Sequence, residues 1–271
     1  TIGKFMAPSV ANTMSEIEFL NSNYEFEIFH FITEIFFQYP HEVEEFCVEY
    51  KKLKIKKPWW CCVSPHMSPE VYPYMKEAGC VGFNMGLESG SDKILAKTKI
   101  GCTTEGFARN HKAAIDSGLF VEASFMVGNE NETAEDMRMT FDFLIDNKMQ
   151  QENWGITTPY PGTAIYAKAY KQGRILDEKA YLEDILSSRY WKIYNIAEFD
   201  FMNISAIRDN NLLYEIIISE TRRYYTYLRK EFKVAEQKII DSKGQNLLTQ
   251  NGVPKAGESL NFTGKCSNCD E

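Results

Sequence analysis

Residues 78–92 read AGCVGFNMGLESGSD, an apolar run that ends in a short polar, glycine-containing segment. The apolar part, Val81–Leu87, has the length and composition of a buried β-strand. The segment after it, Glu88–Gly90, carries residues typical of a chain that turns at the end of a strand. We therefore predict a buried strand with polar side chains at its carboxyl end.

The same pattern extends in both directions along the chain. The predicted strands are Phe26–Ile32, Trp59–Val63, Val81–Leu87, Phe120–Val127 and Trp154–Thr158. Between and before them lie predicted helices at Met14–Asn21, Pro40–Lys54, Ser68–Gly79, Thr104–Ser117 and Glu135–Asn147. Strands that alternate with helices indicate an α/β fold with a parallel sheet, either an incomplete (β/α) barrel or a doubly wound sheet. Both architectures bind ligands at the carboxyl ends of the strands.

The character of the sequence changes after about Gly173. Tyr181–Tyr194 and Asn211–Val234 are predicted helices, and the second contains interleaved tyrosines and basic residues. We interpret it as an amphipathic helix that packs on the barrel; a face for nucleic acid or an anionic substrate is the alternative. The segment from Asp241 to Glu258 is polar and resembles a linker. The predicted domains are 1–175, a partial barrel, 176–240, a helical extension, and 241–271, a linker and cysteine-containing tail.

Composition excludes several classes of protein. Of the 271 residues, 44% are hydrophobic and 25% are charged, which is enough apolar material for a packed core. The formal net charge of −8 argues against binding to duplex nucleic acid. No apolar stretch has the length of about 20 residues that a membrane span requires.

The cysteines are scattered and odd in number, which does not indicate a disulfide framework. They predict a reducing, cytoplasmic compartment. Adjacent cysteines on a strand point to opposite faces, as expected for Cys61 and Cys62. At the far end, Cys266 and Cys269 have the C-x2-C spacing of half a zinc or iron site.

Four motifs at predicted strand ends occur in a fixed order. They are Phe31–Glu34; Ala78–Cys80 with Gly86–Asp92 and Leu95; Gly128–Thr133, which reads GNENET; and Pro159–Thr163 with Tyr166 and Gly173. Together they resemble the radical S-adenosylmethionine (SAM) superfamily, and most of all the branch whose members often carry an upstream cobalamin-binding domain. The resemblance covers about residues 5–175. It implies a partial (β/α)6 TIM-like barrel that lacks its first strand and has a C-terminal helical extension.

The resemblance also implies cofactors. Family members bind a 4Fe–4S cluster through a C-x3-C-x2-C loop after the first strand, and SAM is cleaved reductively beside it. This loop is absent from the sequence. We therefore expect a fragment that begins just downstream of the cluster ligands and is inactive by itself. Loss of the cluster is the alternative. Cobalamin in an upstream domain, and zinc or iron at Cys266 and Cys269, are further expectations.

Particular residues take on roles by their match to the family motifs. Glu34 would hold the SAM amino group, Glu88 and Ser89 would face the ribose, and Ser124 could contact ribose hydroxyls. Lys99 lies near the position of a basic residue that meets the SAM carboxylate. The set of expected cofactor-binding residues is Glu34, Gly86, Glu88, Ser89, Lys99, Ser124, Gly128, Pro159 and Tyr160.

One motif departs from the family pattern. Glu130 and Asn131 replace the usual Pro-Gly of the Gly128–Thr133 turn, and we expect a looser turn for that reason. The resemblance predicts a radical SAM enzyme core for methyl transfer, cyclisation or related radical chemistry. Its partners would be a small-molecule or carrier-bound substrate and an electron donor such as flavodoxin or ferredoxin. The alternative is a barrel without a cluster that acts as a non-catalytic binding or assembly module.

Overall fold

The computed structural model describes residues 9–33, 35–186 and 202–243. Its strands are β1 (Phe29–His30), β2 (Trp59–Cys62), β3 (Cys80–Glu88), β4 (Phe120–Val127) and β5 (Gln150–Ile156). The helices of the described ranges are α1 (Val10–Asn23), α2 (Pro40–Lys52), α3 (Tyr72–Glu77), α4 (Asp92–Thr98), α5 (Thr104–Asp116), α6 (Ala134–Asp146), α7 (Ala164–Lys171), α8 (Glu178–Leu186) and α9 (Asn210–Lys243). A short 3₁₀ turn, Pro69–Val71, leads into α3.

The five strands form one parallel sheet in the order β1-β2-β3-β4-β5, the same as their order in the chain. A doubly wound sheet would reverse its strand order at a switch point. The sequential order therefore distinguishes the two architectures that the periodicity left open. The prediction of a partial (β/α) TIM-like barrel is confirmed.

Strand boundaries agree with the sequence prediction where the apolar run is complete. β4 has the predicted bounds, Phe120–Val127. β5 begins at Gln150, four residues earlier than predicted. The apolar pattern did not indicate this start because the first residues of β5 are polar, and Gln150 is held in the sheet by its pairing with Glu122 of β4. β1 is shorter than predicted and comprises only Phe29–His30, which pair with Trp59 and Trp60 of β2.

Alternating side chains divide the sheet into a helix-covered face and a concave face. On β3, Phe83 stacks against Tyr72 of α3, with ring centroids 5.3 Å apart. On β4, Phe125 meets Phe141 of α6 edge to face. Cys61 of β2 is fully buried while its neighbour Cys62 is partly exposed, which confirms the prediction that they face opposite sides.

The exit of β3 packs closely on α6 through Gly90. A Cβ atom at Gly90 would lie 2.5 Å from the Cα of Thr140 and 2.7 Å from the carbonyl oxygen of Met139. The amide of Gly90 donates to the Thr140 hydroxyl at 2.9 Å. The absence of a side chain at residue 90 is therefore a packing requirement of this fold.

Asp136 holds the start of α6 and the exit of β3 together. Its carboxylate accepts hydrogen bonds from Ser91 Oγ at 2.9 Å, Lys93 Nζ at 2.6 Å and Thr133 Oγ1 at 2.7 Å. Burial alone would raise the pKa of Asp136, but the bonds from Lys93, Thr133 and Ser91 outweigh it and hold the pKa well below its usual range. The Asp136 carboxylate therefore connects the segment after β3 to the start of α6 through hydrogen bonds.

Replacing Asp136 with alanine is expected to lower the free energy of unfolding at pH 7 by about 3 kcal/mol, since the donors around it lose their acceptor. Because the folded pKa is lowered, the stabilisation is present above the ordinary pKa of 3.8 and is lost as the pH falls below it. Urea unfolding at pH 7 and at about pH 3 would measure both effects. The control is Asp116→Ala, which breaks an exposed pair with Lys112 on α5. An equal loss in both variants would contradict the prediction.

Two compact units divide the chain, Thr1–Thr221 and Arg222–Glu271. The sheet and helices α1–α8 belong to the first. In the second, the described part of α9 exposes Arg222, Arg229 and Lys233 and buries Tyr224. The division into 1–175, 176–240 and 241–271 stays a prediction. Among the described helices, none combines the length and apolar character that a bilayer span requires.

Candidate functional site

A cavity of about 450 Å³ lies beside the carboxyl ends of β3, β4 and β5. This size is within the usual range for small-molecule sites. Its position agrees with the predicted ligand edge of a parallel sheet. The cavity is lined by Glu88, Ile94, Lys97, Thr98, Lys99, Met126, Asn129, Glu130, Thr157, Thr163, Ala164 and Ile165.

Glu88 and Lys99 form an ion pair on the cavity wall. Lys99 Nζ lies 2.8 Å from Glu88 Oε1 and donates a second hydrogen bond, also 2.8 Å long, to the carbonyl oxygen of Gly86. The side chains are only 23% and 30% exposed, so water screens this pair less than it screens a surface pair. The structure thus brings three predicted site residues together in one contact.

The backbone conformation at Glu88 and the position of Lys99 after α4 place these two side chains next to each other. Glu88, the last residue of β3, has a φ of 66°, in the left-handed region that non-glycine residues rarely adopt. Lys99 directly follows Thr98, the last residue of α4. A Cβ at Gly86 would lie 2.8 Å from both Glu88 Oε1 and Lys99 Nζ, so the pair occupies the space above that glycine. Such backbone strain is frequent at functional sites.

The turn after β4 forms another part of the wall. Gly128 has a φ of 72°, which a glycine adopts without strain. Asn129 follows it and is 2% exposed; its Oδ1 accepts a 2.8 Å hydrogen bond from Thr157 Oγ1, beyond β5. Asn129 and Thr157 were not among the predicted site residues. The signal that could have found them is their position at the carboxyl ends of predicted strands, since Asn129 lies in the Gly128–Thr133 turn and Thr157 is next to last in the predicted strand Trp154–Thr158.

Glu132 lies behind this turn and is fully buried. Its Oε2 accepts a hydrogen bond from the amide of Asn129 at 2.9 Å, and its Oε1 has no hydrogen-bond partner. Burial raises the pKa of Glu132 to about 7, although the hydrogen bonds from Asn129 and Gly128 act in the opposite direction. Glu132 belongs to the Gly128–Thr133 motif, but it was not among the predicted site residues.

Several predicted site residues lie away from the cavity lining. Ser89 is fully buried and contacts Thr140 and the amide of Ser91. Ser124 accepts a 2.9 Å hydrogen bond from Asn84 Nδ2. At the exit of β5, Pro159 is buried and its carbonyl oxygen accepts from Tyr181. The adjacent Tyr160 is 46% exposed.

Three predicted residues, Glu34, Cys266 and Cys269, lie outside the described residues. Within the described ranges, no three histidine, cysteine, aspartate or glutamate side chains lie close enough together to hold a metal ion. The described residues therefore supply no ligand set for an iron–sulfur cluster, and we assign none.

Comparison with known families identifies the class of protein. The model of the radical SAM superfamily matches residues 2–144, which is more than half of the 271 residues. This chain belongs to the radical SAM superfamily, whose cofactors are SAM and a 4Fe–4S cluster.

Individual relatives match parts of the chain. Over 112 residues it is 28% identical to an anaerobic magnesium-protoporphyrin IX monomethyl ester cyclase of Rubrivivax gelatinosus, a match that covers 41% of this chain and 20% of that protein. Over 169 residues it is 26% identical to an uncharacterized methyltransferase of Pyrococcus horikoshii, which covers 62% of this chain and 37% of the relative. The matched region thus spans between a fifth and two fifths of these relatives' own length.

A solved structure supports the fold. The radical SAM methyltransferase TsrM from Kitasatospora setae, with tryptophan substrate and a SAM analog bound, superposes with a TM-score of 0.50 at 17% identity. The match covers 61% of this chain and 33% of that one. At this identity the likeness concerns the fold alone.

Proposed function

We propose that this chain is the core of a radical SAM enzyme and that the cavity at the carboxyl ends of β3–β5 binds SAM. The observation that carries the proposal is the Glu88–Lys99 pair on the cavity wall, at 2.8 Å. A cation and an acceptor side by side suit a ligand that bears both a carboxylate and hydroxyl groups.

The residues of the cavity fit this ligand. Lys99 would bind the SAM carboxylate, because its ammonium group already reaches the wall and has three donors. Glu88 would accept hydrogen bonds from the ribose hydroxyls. Gly86 leaves room for both side chains, since a Cβ there would lie within 2.8 Å of each. The roles of Glu34, Ser89, Ser124, Gly128, Pro159 and Tyr160 in cofactor binding remain part of this proposal.

The reaction, the further cofactor, the electron donor and the location are proposed from membership of the radical SAM superfamily. When bound beside the cluster, SAM would supply the methyl-transfer or radical chemistry. The reaction would be methyl transfer, cyclisation or a related step on a small-molecule or carrier-bound substrate. Cobalamin in an upstream domain and an electron donor such as flavodoxin or ferredoxin belong to the same proposal, as does a cytoplasmic location.

The test is SAM binding and turnover by the full-length protein after anaerobic reconstitution with iron and sulfide. We expect saturable binding of radiolabelled SAM, and release of 5′-deoxyadenosine or a methylated product on reduction. S-adenosylhomocysteine, which lacks the transferable methyl group and the sulfonium charge but keeps the carboxylate and the ribose hydroxyls, should compete for binding. Failure of SAM to bind the reconstituted protein would overturn the proposal.

A further inference from the structure

The turn after β4 is built differently from the Pro-Gly turn that the family motif usually has. Asn131 adopts the left-handed region, with a φ of 59°, which asparagine tolerates better than most residues. Glu130 forms an ion pair with Lys168 of α7. A looser turn was expected from the sequence, and these contacts instead hold it in place.

A later segment, residues 202–207, clamps the same turn through the backbone. The amide of Asn131 donates to the carbonyl oxygen of Ile204 at 3.1 Å, and the amide of Ala206 donates to the carbonyl oxygen of Glu132 at 2.9 Å. The segment is itself ordered by Asn203, whose Oδ1 accepts from Ser205 Oγ at 2.7 Å. Residues 202–207, which we call the clamp, therefore bind the backbone of Asn131 and of Glu132 itself.

The Glu132 carboxyl group links this clamp to the cavity. One oxygen accepts the Asn129 amide at 2.9 Å, and Asn129 accepts from Thr157 at 2.8 Å. Both Asn129 and Thr157 line the cavity, whereas Glu132 does not. The second oxygen, Oε1, is buried and has no hydrogen-bond partner. If Glu132 is ionised, hydrogen bonds therefore stabilise the negative charge at Oε2 but not at Oε1.

We propose that Glu132 is a positioning residue for SAM, and that its protonation state sets the position of Asn129 in the cavity wall. The inference rests on the proposed function, because SAM is the ligand whose binding reports it. It goes beyond that function, because Glu132 would act through the turn without touching the ligand.

The direction of the effect follows from burial. With a pKa raised to about 7, Glu132 is neutral below that pH, and the described turn then carries no uncompensated charge. Above pH 7 the anion needs a donor for Oε1, so we expect the turn to open towards water and Asn129 to leave the wall. Stability contributed by the neutral form is lost as the pH rises from about 4.5 to about 7.

Most charged groups near Glu132 are already paired with other residues. Asp136 of α6 raises the pKa of Glu132 further, but its own charge is tied to Lys93. Glu130 is paired with Lys168 of α7, and Arg174, after α7, donates to the carbonyl oxygen of Asn203 in the clamp. Within the described ranges, no lysine, arginine or histidine side chain forms an ion pair with Glu132.

The first experiment measures the SAM dissociation constant of the reconstituted full-length protein between pH 6 and pH 8.5. We expect affinity in the wild type to fall roughly threefold to tenfold as the pH rises to about 7 and to level off above it, and to stay flat in Glu132→Gln, whose amide does not titrate. The SAM amino group titrates in the same range, but equally for both proteins. Glu135→Gln, an exposed neighbour on α6, is the matched control and should follow the wild type.

The second experiment needs no ligand. Hydrogen exchange at the amides of Gly128 and Asn129, corrected for the intrinsic rate, should show protection in the wild type that drops as the pH rises to about 7 and is constant above it. Parallel pH profiles of SAM affinity in wild type and Glu132→Gln would overturn the inference. If SAM binds neither protein at any pH, the proposed function fails, and the exchange profile of the wild type alone decides. A drop in protection that ends near pH 7 supports a titrating turn, and a flat profile overturns it.

Discussion

Replacing Gly90 with alanine is expected to lower the free energy of unfolding by about 3 kcal/mol, since added core volume that cannot be accommodated costs about 1–3 kcal/mol or more. The new Cβ would meet the backbone of α6, at 2.5 Å from Thr140 Cα and 2.7 Å from the Met139 carbonyl oxygen. No rotamer change can relieve a contact with backbone. Helix α6 would therefore have to move away from the end of β3, and urea unfolding would measure the loss.

The matched control for Gly90→Ala is Gly155→Ala on β5. There the nearest atom to an added Cβ is Met126 Sδ at 3.4 Å, an ordinary contact with a flexible side chain. We expect a change within about 1 kcal/mol for this variant. Equal unfolding midpoints for the two variants would show that the close approach at Gly90 does not contribute to stability.

Replacing Lys99 with alanine is expected to weaken SAM binding roughly 10- to 100-fold, because a hydrogen bond that involves a charged group contributes about 1.5–3 kcal/mol. The substitution also leaves Glu88 without its cation, and the bond from Lys99 to the Gly86 carbonyl oxygen is lost. Equilibrium dialysis with radiolabelled SAM would measure the effect with wild type and variant at the same pH, so that Glu132 contributes equally to both.

Two further variants sharpen this prediction. Lys112→Ala removes an exposed lysine of α5, with 74% of its side chain accessible, and should bind SAM like the wild type. Lys99→Met keeps the length of the side chain without its charge and should behave like Lys99→Ala. Wild-type affinity in Lys99→Met would show that the ammonium group does not contact the ligand.

Much of the fold could be predicted because each strand is a continuous apolar run with helices between. β4 and the core of β3 were predicted closely for this reason. The start of β5 was not, because Gln150 is polar and is held in the sheet by its partner on β4. Helix α4 has only seven residues and begins within the polar end of the Gly86–Asp92 motif, so periodicity gave no signal for it.

The candidate site could be predicted residue by residue but not as an arrangement. Glu88 and Lys99 were chosen separately from a family motif, and only the structure joins them in one ion pair. Their meeting depends on the left-handed backbone at Glu88 and on the end of α4, and neither has a sequence pattern. The clamp at 202–207 could not be foreseen either, because it contacts residues about 70 positions earlier through backbone atoms.

The order of the strands has a consequence for how the chain acquires its structure during synthesis. Each strand pairs with the one made just before it, and each connecting helix has been made by the time the next strand appears. During synthesis, each new strand and its helix could therefore add to the edge of the sheet that has already formed, before residues far along the sequence have been made. Pairing between near neighbours in sequence keeps contact order low for a parallel sheet, which favours rapid folding. The clamp at 202–207 would be the late step, so that the cavity at the ends of β3–β5 takes its final shape only after the whole sheet has been synthesised.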